Sequence, residues 1–459
     1  MRPIPIIALA LAGSAASAEI APQALWQRWQ SGDAAVTALE GTARADGGAL
    51  VIEGAVLRLG RGAEAPRLRA ETLRLAPEQG STRVTPPATW IIEGGEGVTT
   101  RVTAPELDLL VGGAADAPVY RIDEPVLGAT ATIADAEAAL GLTLTAAALA
   151  AEIDPATGLR LTAAEADLRA VPDGGPESLQ AGYRDLEVAF EGPLAAFVAP
   201  VTEAVPYSLS VAAEEGRQVL TGPTEAAGTV TATIATGPSR STIVSTERRI
   251  EAQQSASAVT LSATGPDLPL REVRVDIAAL TLGLSTPAAA VETSAPVSLD
   301  LGIAGLSPGE ELWELLDPGR ALPRDPADLR LAVSGELSWS GETEPPLPAV
   351  ERATLETLRL SALGATLSGQ GGVQFQPPAT PDTAGRPLGA LGFTLTGAGA
   401  LLDRLDELRI VPQGQMMGLR MGLGLFTRPG EGEDTLVSEI EFAPDGAVVV
   451  NGTVIGRQP

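Results

Sequence analysis

The chain has 459 residues, is 44% hydrophobic but only 3% aromatic, and carries a formal net charge of −27. It contains no histidine, no cysteine and no lysine. These absences exclude proton transfer by imidazole, thiolate chemistry, Schiff bases and phosphate loops of the Walker type. The acidic balance also argues against nucleic acid as a partner, because that binding needs basic clusters. We therefore predict no catalytic, metal or cofactor-binding residues and no cofactor.

The first 18 residues have the pattern of a secretory signal. Arg2 precedes an apolar run at residues 4–12, and Ala16, Ser17 and Ala18 form a small-residue cleavage site. We expect cleavage between Ala18 and Glu19 and a periplasmic location. The apolar run is about half of the roughly 20 residues needed to span a bilayer, and no transmembrane segment is predicted in the mature chain. An exported chain without cysteine must be stabilised by burial, here of aliphatic side chains.

The first predicted structural element is a short helix. Pro22 opens it, Leu25, Trp26 and Trp29 lie on one side, and Ser31-Gly32 ends it. We expect its tryptophans to anchor packing and not to form a binding site.

From there onward, alternation of apolar and polar residues with period two predicts strands that have one buried face. Such runs occupy residues 140–148, 159–168, 205–211, 229–234, 258–263, 297–303, 329–339 and 436–442. Asp445-Gly446 then predicts a β-hairpin into a valine run.

Two runs change parity within their length. Val273, Val275 and Ile277 are odd-numbered, whereas the leucines at 280, 282 and 284 are even-numbered, and Leu355 gives way to Leu358 in the same manner. Either one extra residue is absorbed in a bulge of a long strand, or two short strands meet at a turn. The bulged alternative suits a large, curved sheet.

Later segments predict short helices. Ser307 and Glu310 have capping-box spacing before a leucine-rich turn, and leucines between residues 401 and 408 form an amphipathic stripe. The segment 415–426 is rich in Met, Leu and Gly, and we favour core packing over a ligand surface for it. The acidic run 430–434 is interpreted as a polar turn and not a calcium site, because the spacing of a calcium loop is missing.

These elements predict a mainly β fold with long, curved antiparallel sheets, an elongated shape and a few short helices. We divide the mature chain into regions 19–205, 206–310 and 311–459.

Three segments carry a resemblance to a known family. They are Leu25 to Trp29, residues 315–326 (LLDPGRALPRDP) and residues 416–452, which contain GEGEDTL and the closing VNG. They resemble the secreted alphaproteobacterial proteins of domain-of-unknown-function family 2125, and the likeness is expected over the whole mature chain. The family has no assigned chemistry, so the resemblance implies no site residue.

More distantly, the chain resembles AsmA- and YdgA-like periplasmic β-rich proteins. That resemblance implies curved sheets with an apolar groove, used in envelope or lipid homeostasis. The chain differs from AsmA in having no evident N-terminal membrane anchor.

We therefore expect a non-enzymatic periplasmic envelope protein that binds an apolar ligand or lipid along a sheet groove. The alternative is a structural or protein-interaction module of the envelope, with lipid or another envelope protein as partner. A hydrolase that uses two carboxylates is a further alternative.

Overall fold

The computed structural model describes residues 20–32, 36–59, 65–94, 98–114, 116–133, 140–172, 177–193, 205–224, 228–288, 294–339, 348–376, 385–409 and 411–457. The predicted cleavage residues Ala18 and Glu19 lie outside these ranges. Within them, 26 strands form one antiparallel sheet and four short helices lie at its edges. The predicted mainly β fold with one long antiparallel sheet is confirmed.

The helices are α1 (Pro22–Gln30), α2 (Glu310–Leu316), α3 (Ala398–Glu407) and α4 (Gln413–Phe426). The first strands are β1 (Val36–Asp46), β2 (Ala49–Leu59), β3 (Arg67–Glu78), β4 (Ser81–Thr85), β5 (Thr89–Glu93), β6 (Val98–Thr103), β7 (Asp108–Ala114), β8 (Ala117–Ile133), β9 (Leu140–Asp154), β10 (Gly158–Pro172) and β11 (Ser178–Glu191). The middle strands are β12 (Tyr207–Ala213), β13 (Glu215–Pro223), β14 (Thr229–Thr236), β15 (Ser239–Ser245), β16 (Arg249–Thr264), β17 (Val273–Pro287) and β18 (Ala295–Pro308). The last are β19 (Ala327–Trp339), β20 (Pro348–Ala362), β21 (Ala365–Gln376), β22 (Arg386–Thr396), β23 (Arg428–Pro429), β24 (Thr435–Phe442), β25 (Ala447–Val450) and β26 (Thr453–Arg457).

The sheet is assembled almost entirely from neighbours in the chain. From β8 to β11 and again from β16 to β22, each strand pairs with the next one. Between these runs, β12 and β13 lie end to end along β11, and β14 and β15 lie end to end along β16. Hydrogen bonding therefore continues across residues 205 and 310, and the predicted division at those points stays a prediction.

A line of bends crosses the strands from β8 to β18. In each long strand a position near the middle is left out of the pairing, and between β12 and β13 and between β14 and β15 it falls in the gap between the two strands. The register on both sides of this position stays the same. We call this line the crease; its positions are Pro125, Ala148, Ala164, Asp185, Glu214, Gly237, Ala258, Ala278 and Gly305. Ala148, Asp185, Ala258 and Gly305 have positive φ, between 49° and 68°.

The crease explains the parity change in the sequence. In β17 it falls at Ala278, between the odd set that ends at Ile277 and the even set that begins at Leu280. Ile277 and Leu280 pack in the same cluster, so the apolar side chains on both sides of Ala278 lie on one face. β17 is one strand through Ala278 and keeps the same register with β16 and β18 on both sides, so the alternative of two short strands joined by a turn is wrong and no extra residue is inserted. In β20 the parity change coincides with a register shift between Leu355 and Leu358.

The face that carries these apolar side chains is called the inner face. Buried clusters lie on it at the crease, one around Leu149 and Ala163 and another around Val259 and Ile277. A flat single-layered sheet cannot bury side chains on an uncovered face, and bends of this kind tilt the two halves of a strand toward each other. We infer that the inner face is the inside of the bend and that the two halves of the strands form the arms of a groove.

Helix α1 closes the N-terminal end of this arrangement. Leu25, Trp26 and Trp29 are buried against β2 and β3 in the largest cluster of the described residues. The helix forms here because Pro22 fixes its first turn and its apolar residues share one side. The predicted role of these tryptophans in packing is confirmed.

At the other end, helices take the place of one arm. Helix α2 follows β18, with Trp313 buried and the Arg324 guanidinium stacked 5.3 Å from the centre of its ring. The predicted capping box is wrong: Gly309 is the N-cap and no side chain caps the helix. Ser307 instead pairs with Asp276 in the sheet, so it is in extended structure.

The loop after α2 is organised by the buried Asp317. Its carboxylate accepts hydrogen bonds from the backbone N–H groups of Ala321 and Leu322, at 2.9 and 2.8 Å. Burial by itself would raise the pKa of Asp317, but these N–H groups and the charge of Arg324 outweigh it and hold the pKa below its ordinary value. This carboxylate therefore fixes the turn that leads into β19.

Candidate apolar groove

The groove is lined by two rows of apolar side chains, one on each arm. Arm 1 contains β13 and β14, and arm 2 contains β12 and β15. Directly paired residues on arm 1 are Leu142, Ala170, Leu179, Leu220, Ala232, Ala263 and Val273. On arm 2 they are Ile153, Leu159, Phe190, Leu209, Ile243, Ala252 and Leu284. Strands lie about 4.8 Å apart, so each row is roughly 30 Å long.

Several of these leucines are exposed on the arms although residues at the crease are buried. Leu179 is 37% and Leu220 is 46% exposed, and Leu144, Leu168, Leu261, Leu282 and Leu284 are exposed to a similar extent. Isolated exposed leucines need no explanation, whereas a continuous row of them marks a binding surface. The arms therefore present an open apolar surface above a filled crease.

An open depression lies toward the outer end of arm 1. It has a volume of about 500 Å³, within the usual range for small-ligand sites. Leu179, Leu220 and Val230 line it together with Ala170, Ala232 and two prolines. Its polar lining comes from short side chains and Glu177, so the depression is suited to hydrocarbon.

At the end of the groove near α1, a buried hydrogen bond joins the helix to β8. The Trp29 indole N–H donates to the Tyr120 hydroxyl at 3.2 Å, and both side chains are buried. Burial raises the pKa of Tyr120, so the phenol stays neutral. Four residues along β8, the Glu124 carboxylate is fully buried beside the crease. One of its oxygens accepts from the Val126 N–H at 3.2 Å, and the other has no hydrogen-bond partner in the part of the chain that the structure describes.

Carboxyl groups elsewhere are held as anions. Among the described residues, those with a shifted pKa are Asp46, Glu78, Asp154, Asp276, Glu310 and Asp317, and every shift is downward. Hydrogen bonds from arginine cause four of these shifts, while backbone N–H groups lower the pKa of the other two. A general acid in glycoside hydrolysis needs a raised pKa instead. These carboxylates therefore behave as structural ion pairs and turn acceptors.

The acidic run 430–434 contributes one such acceptor. The Asp434 carboxylate accepts hydrogen bonds from the N–H groups of Gly399 and Ala400, at 2.9 and 3.0 Å, at the start of α3. Asn451, in the closing VNG, occupies a turn and donates to the Phe426 carbonyl at 3.0 Å. These two contacts hold α3 and α4 against the C-terminal strands.

The predicted core position of the Met-rich segment is wrong for most of its side chains. Met416 is buried, but Met417, Leu419, Met421, Leu425 and Phe426 are all exposed. Helix α4 packs beside α3, and the side that carries Met417, Met421 and Leu425 is exposed.

The leucines of arm 1 were not predicted from the sequence as groove residues. The signal was present in β11, where Leu179, Ala181 and Tyr183 give way to Leu186 and Val188 across Asp185. A parity change in one strand alone does not predict a bend of the sheet. It indicates a bend here because the neighbouring strands change parity at positions that lie side by side in the sheet.

Comparison with known proteins gives a family and no function. No curated protein and no solved structure matches the chain. One family's sequence profile matches residues 185–459, which is more than half of the chain but leaves the N-terminal strands and α1 outside the match. The chain belongs to the family described as "Uncharacterized protein conserved in bacteria (DUF2125)".

Proposed function

We propose that this protein is a non-enzymatic component of the bacterial cell envelope that holds an apolar ligand, such as a lipid chain, along the inner face of its bent sheet. The secretory pattern of residues 1–18 supports the periplasm as its location. The observation that carries the proposal is the apolar inner face, which is buried at the crease and carries a row of exposed leucines on arm 1.

The dimensions of the groove favour a long, flexible hydrocarbon. A row roughly 30 Å long is about twice the length of one acyl chain, since a bilayer core about 30 Å thick contains two leaflets. Aliphatic and small side chains without fixed polar groups give little orientation or stereochemical selection. We therefore expect binding that depends on chain length and tolerates different headgroups.

The test is binding of Nile red, an uncharged apolar dye, together with native mass spectrometry of the purified protein. Leu179 and Leu220 are a directly paired couple on the inner face. Replacing both by Asp places two charges in the depression, and we expect dye binding and any co-purified lipid to be lost. The matched control is Gln180→Asp with Val219→Asp, the adjacent pair on the outer face, which should bind as the unmodified protein does. Absence of both dye and lipid from the unmodified protein, or equal losses in the two double variants, would refute the proposal.

A further inference from the structure

Helix α4 is anchored on one side and bare on the other. Its inner side buries Met416, and the Arg420 guanidinium donates to the Asp403 carboxylate of α3 at 2.8 Å. Its C-terminal end is held by Asn451. The helix is thus fixed to the body of the protein, and its outer side is a defined surface.

That outer side is strongly apolar. Met417, Met421 and Leu425 are 66%, 70% and 65% exposed, with Leu419 and Phe426 beside them. An added Cβ at Gly414, Gly418 or Gly422 would meet no atom within 4 Å. Arg420 is the only charged residue in α4, and it is already engaged on the inner side. A protein of net charge −27 therefore carries one long surface without exposed carboxylates.

We propose that α4 is a membrane-contacting helix, which lies in the surface of a lipid bilayer with Met417, Met421 and Leu425 inserted among the acyl chains. This proposal is independent of ligand binding in the groove. The helix has 14 residues, so it is too short to cross a bilayer, and an orientation parallel to the surface is the one open to it.

The area of this surface favours lipid over a protein partner. Fourteen residues at 1.5 Å rise and a helix diameter of about 11 Å give an outer half-cylinder of about 360 Å². A stable protein interface needs about 800 Å² on each partner and about one hydrogen bond per 100–200 Å². Between Met416 and Phe426 the outer side offers no polar side chain for such bonds. A bilayer requires neither the area nor the hydrogen bonds, and flexible methionines fit its irregular interior.

Charge decides which lipid surface is suitable. Stable binding of amphipathic helices to anionic lipid uses Lys and Arg on the polar side, and α4 has one arginine that is paired with Asp403. The acidic body would be repelled by anionic headgroups. We therefore expect binding to zwitterionic bilayers, driven by apolar insertion and little affected by salt.

The experiment is flotation of the protein with phosphatidylcholine vesicles. The chain is recovered from the periplasm of an expression host, and its mass is recorded so that the state of the apolar run 4–12 is known. We compare the unmodified protein with Met421→Asp/Leu425→Asp and with Val126→Asp, a control at a site 61% exposed on β8. Loss of two inserted side chains should lower the vesicle-bound fraction at least about tenfold, and the control should bind normally.

Each outcome is decisive. Failure of the unmodified protein to float, or an equal decrease in the control, overturns the proposal. Sedimentation analysis adds a third outcome: a dimer that dissociates when Met421 and Leu425 are replaced would show that a second copy covers α4, and would also overturn it. The groove variant Leu179→Asp/Leu220→Asp should float normally, so failure of ligand binding and failure of membrane contact are distinguishable.

Discussion

Gly305→Ala is the sharpest test of the crease. Gly305 has φ of +68°, and a Cβ at this position would lie 2.7 Å from the Cβ of Ala278 on the neighbouring strand. The left-handed conformation costs an L-residue about 1–2 kcal/mol, and overpacking costs about 1–3 kcal/mol. Reduced entropy of the unfolded chain returns about 0.4–1 kcal/mol. We expect a net loss of about 1–4.5 kcal/mol in the free energy of unfolding.

The measurement is urea unfolding followed by far-ultraviolet circular dichroism, with hydrogen exchange by mass spectrometry to localise the effect. Faster exchange should be confined to β17, β18 and their neighbours, because each strand contacts only adjacent strands. Adding Ala278→Gly should restore the part of the unfolding free energy that is lost through the close contact between the two Cβ atoms. It should not restore the part that is lost through the positive φ at residue 305. Gly222→Ala is the matched control, since it has open space around it and no positive φ. If Gly305→Ala is as stable as this control, the assignment of the crease as a tightly packed bend is wrong.

Three further predictions concern the closed end and the turn after α2. Trp29→Phe should lower the free energy of unfolding, measured with denaturant, by about 1–3 kcal/mol, because it removes a buried hydrogen bond and part of a buried ring. Tyr120→Phe removes the hydrogen bond alone and should lower it by about 1 kcal/mol. Equal losses in the two variants would contradict this ranking. Glu124→Gln should change the free energy of unfolding by no more than about 1 kcal/mol, since it keeps the acceptor for the Val126 N–H and replaces a carboxyl oxygen that has no hydrogen-bond partner among the described residues; a larger loss would show that this oxygen has a partner. Because the pKa of Asp317 is depressed in the folded protein, its stabilising contribution is present above about pH 4 and is lost as the pH falls through the folded-state pKa. Asp317→Asn should therefore lose less stability than the unmodified protein in thermal scans between about pH 5 and pH 3, and parallel losses would refute this account.

The sequence was most informative where periodicity is local. Alternation in runs such as 297–303 predicted strands because side chains of a strand point to opposite faces, whatever the strand pairs with. The short α1 was equally predictable, since Pro22 and the spacing of Leu25, Trp26 and Trp29 act within a few residues. The residue composition likewise excluded histidine, cysteine and lysine chemistry without any structure.

Features that depend on neighbouring strands were not predictable in this way. The capping box at Ser307 failed because β18 continues through that residue, where pairing with β17 outcompetes a local cap. The Met-rich segment was assigned to the core because an apolar helix is usually covered, and only the position of α4 beyond α3 shows that its outer side is bare.

By itself, then, the sequence determined that the chain folds as strands, which residues of a strand share an apolar side, and that this pattern changes parity in two of the runs. Only the tertiary structure decided that positions left out of the pairing align from β8 to β18 as a single crease. The physical reason is that strand alternation is a property of one segment of backbone, whereas the register between strands is set by hydrogen bonds and contacts between segments. The groove exists because that register places Ala148, Asp185, Ala258 and Gly305 on one line.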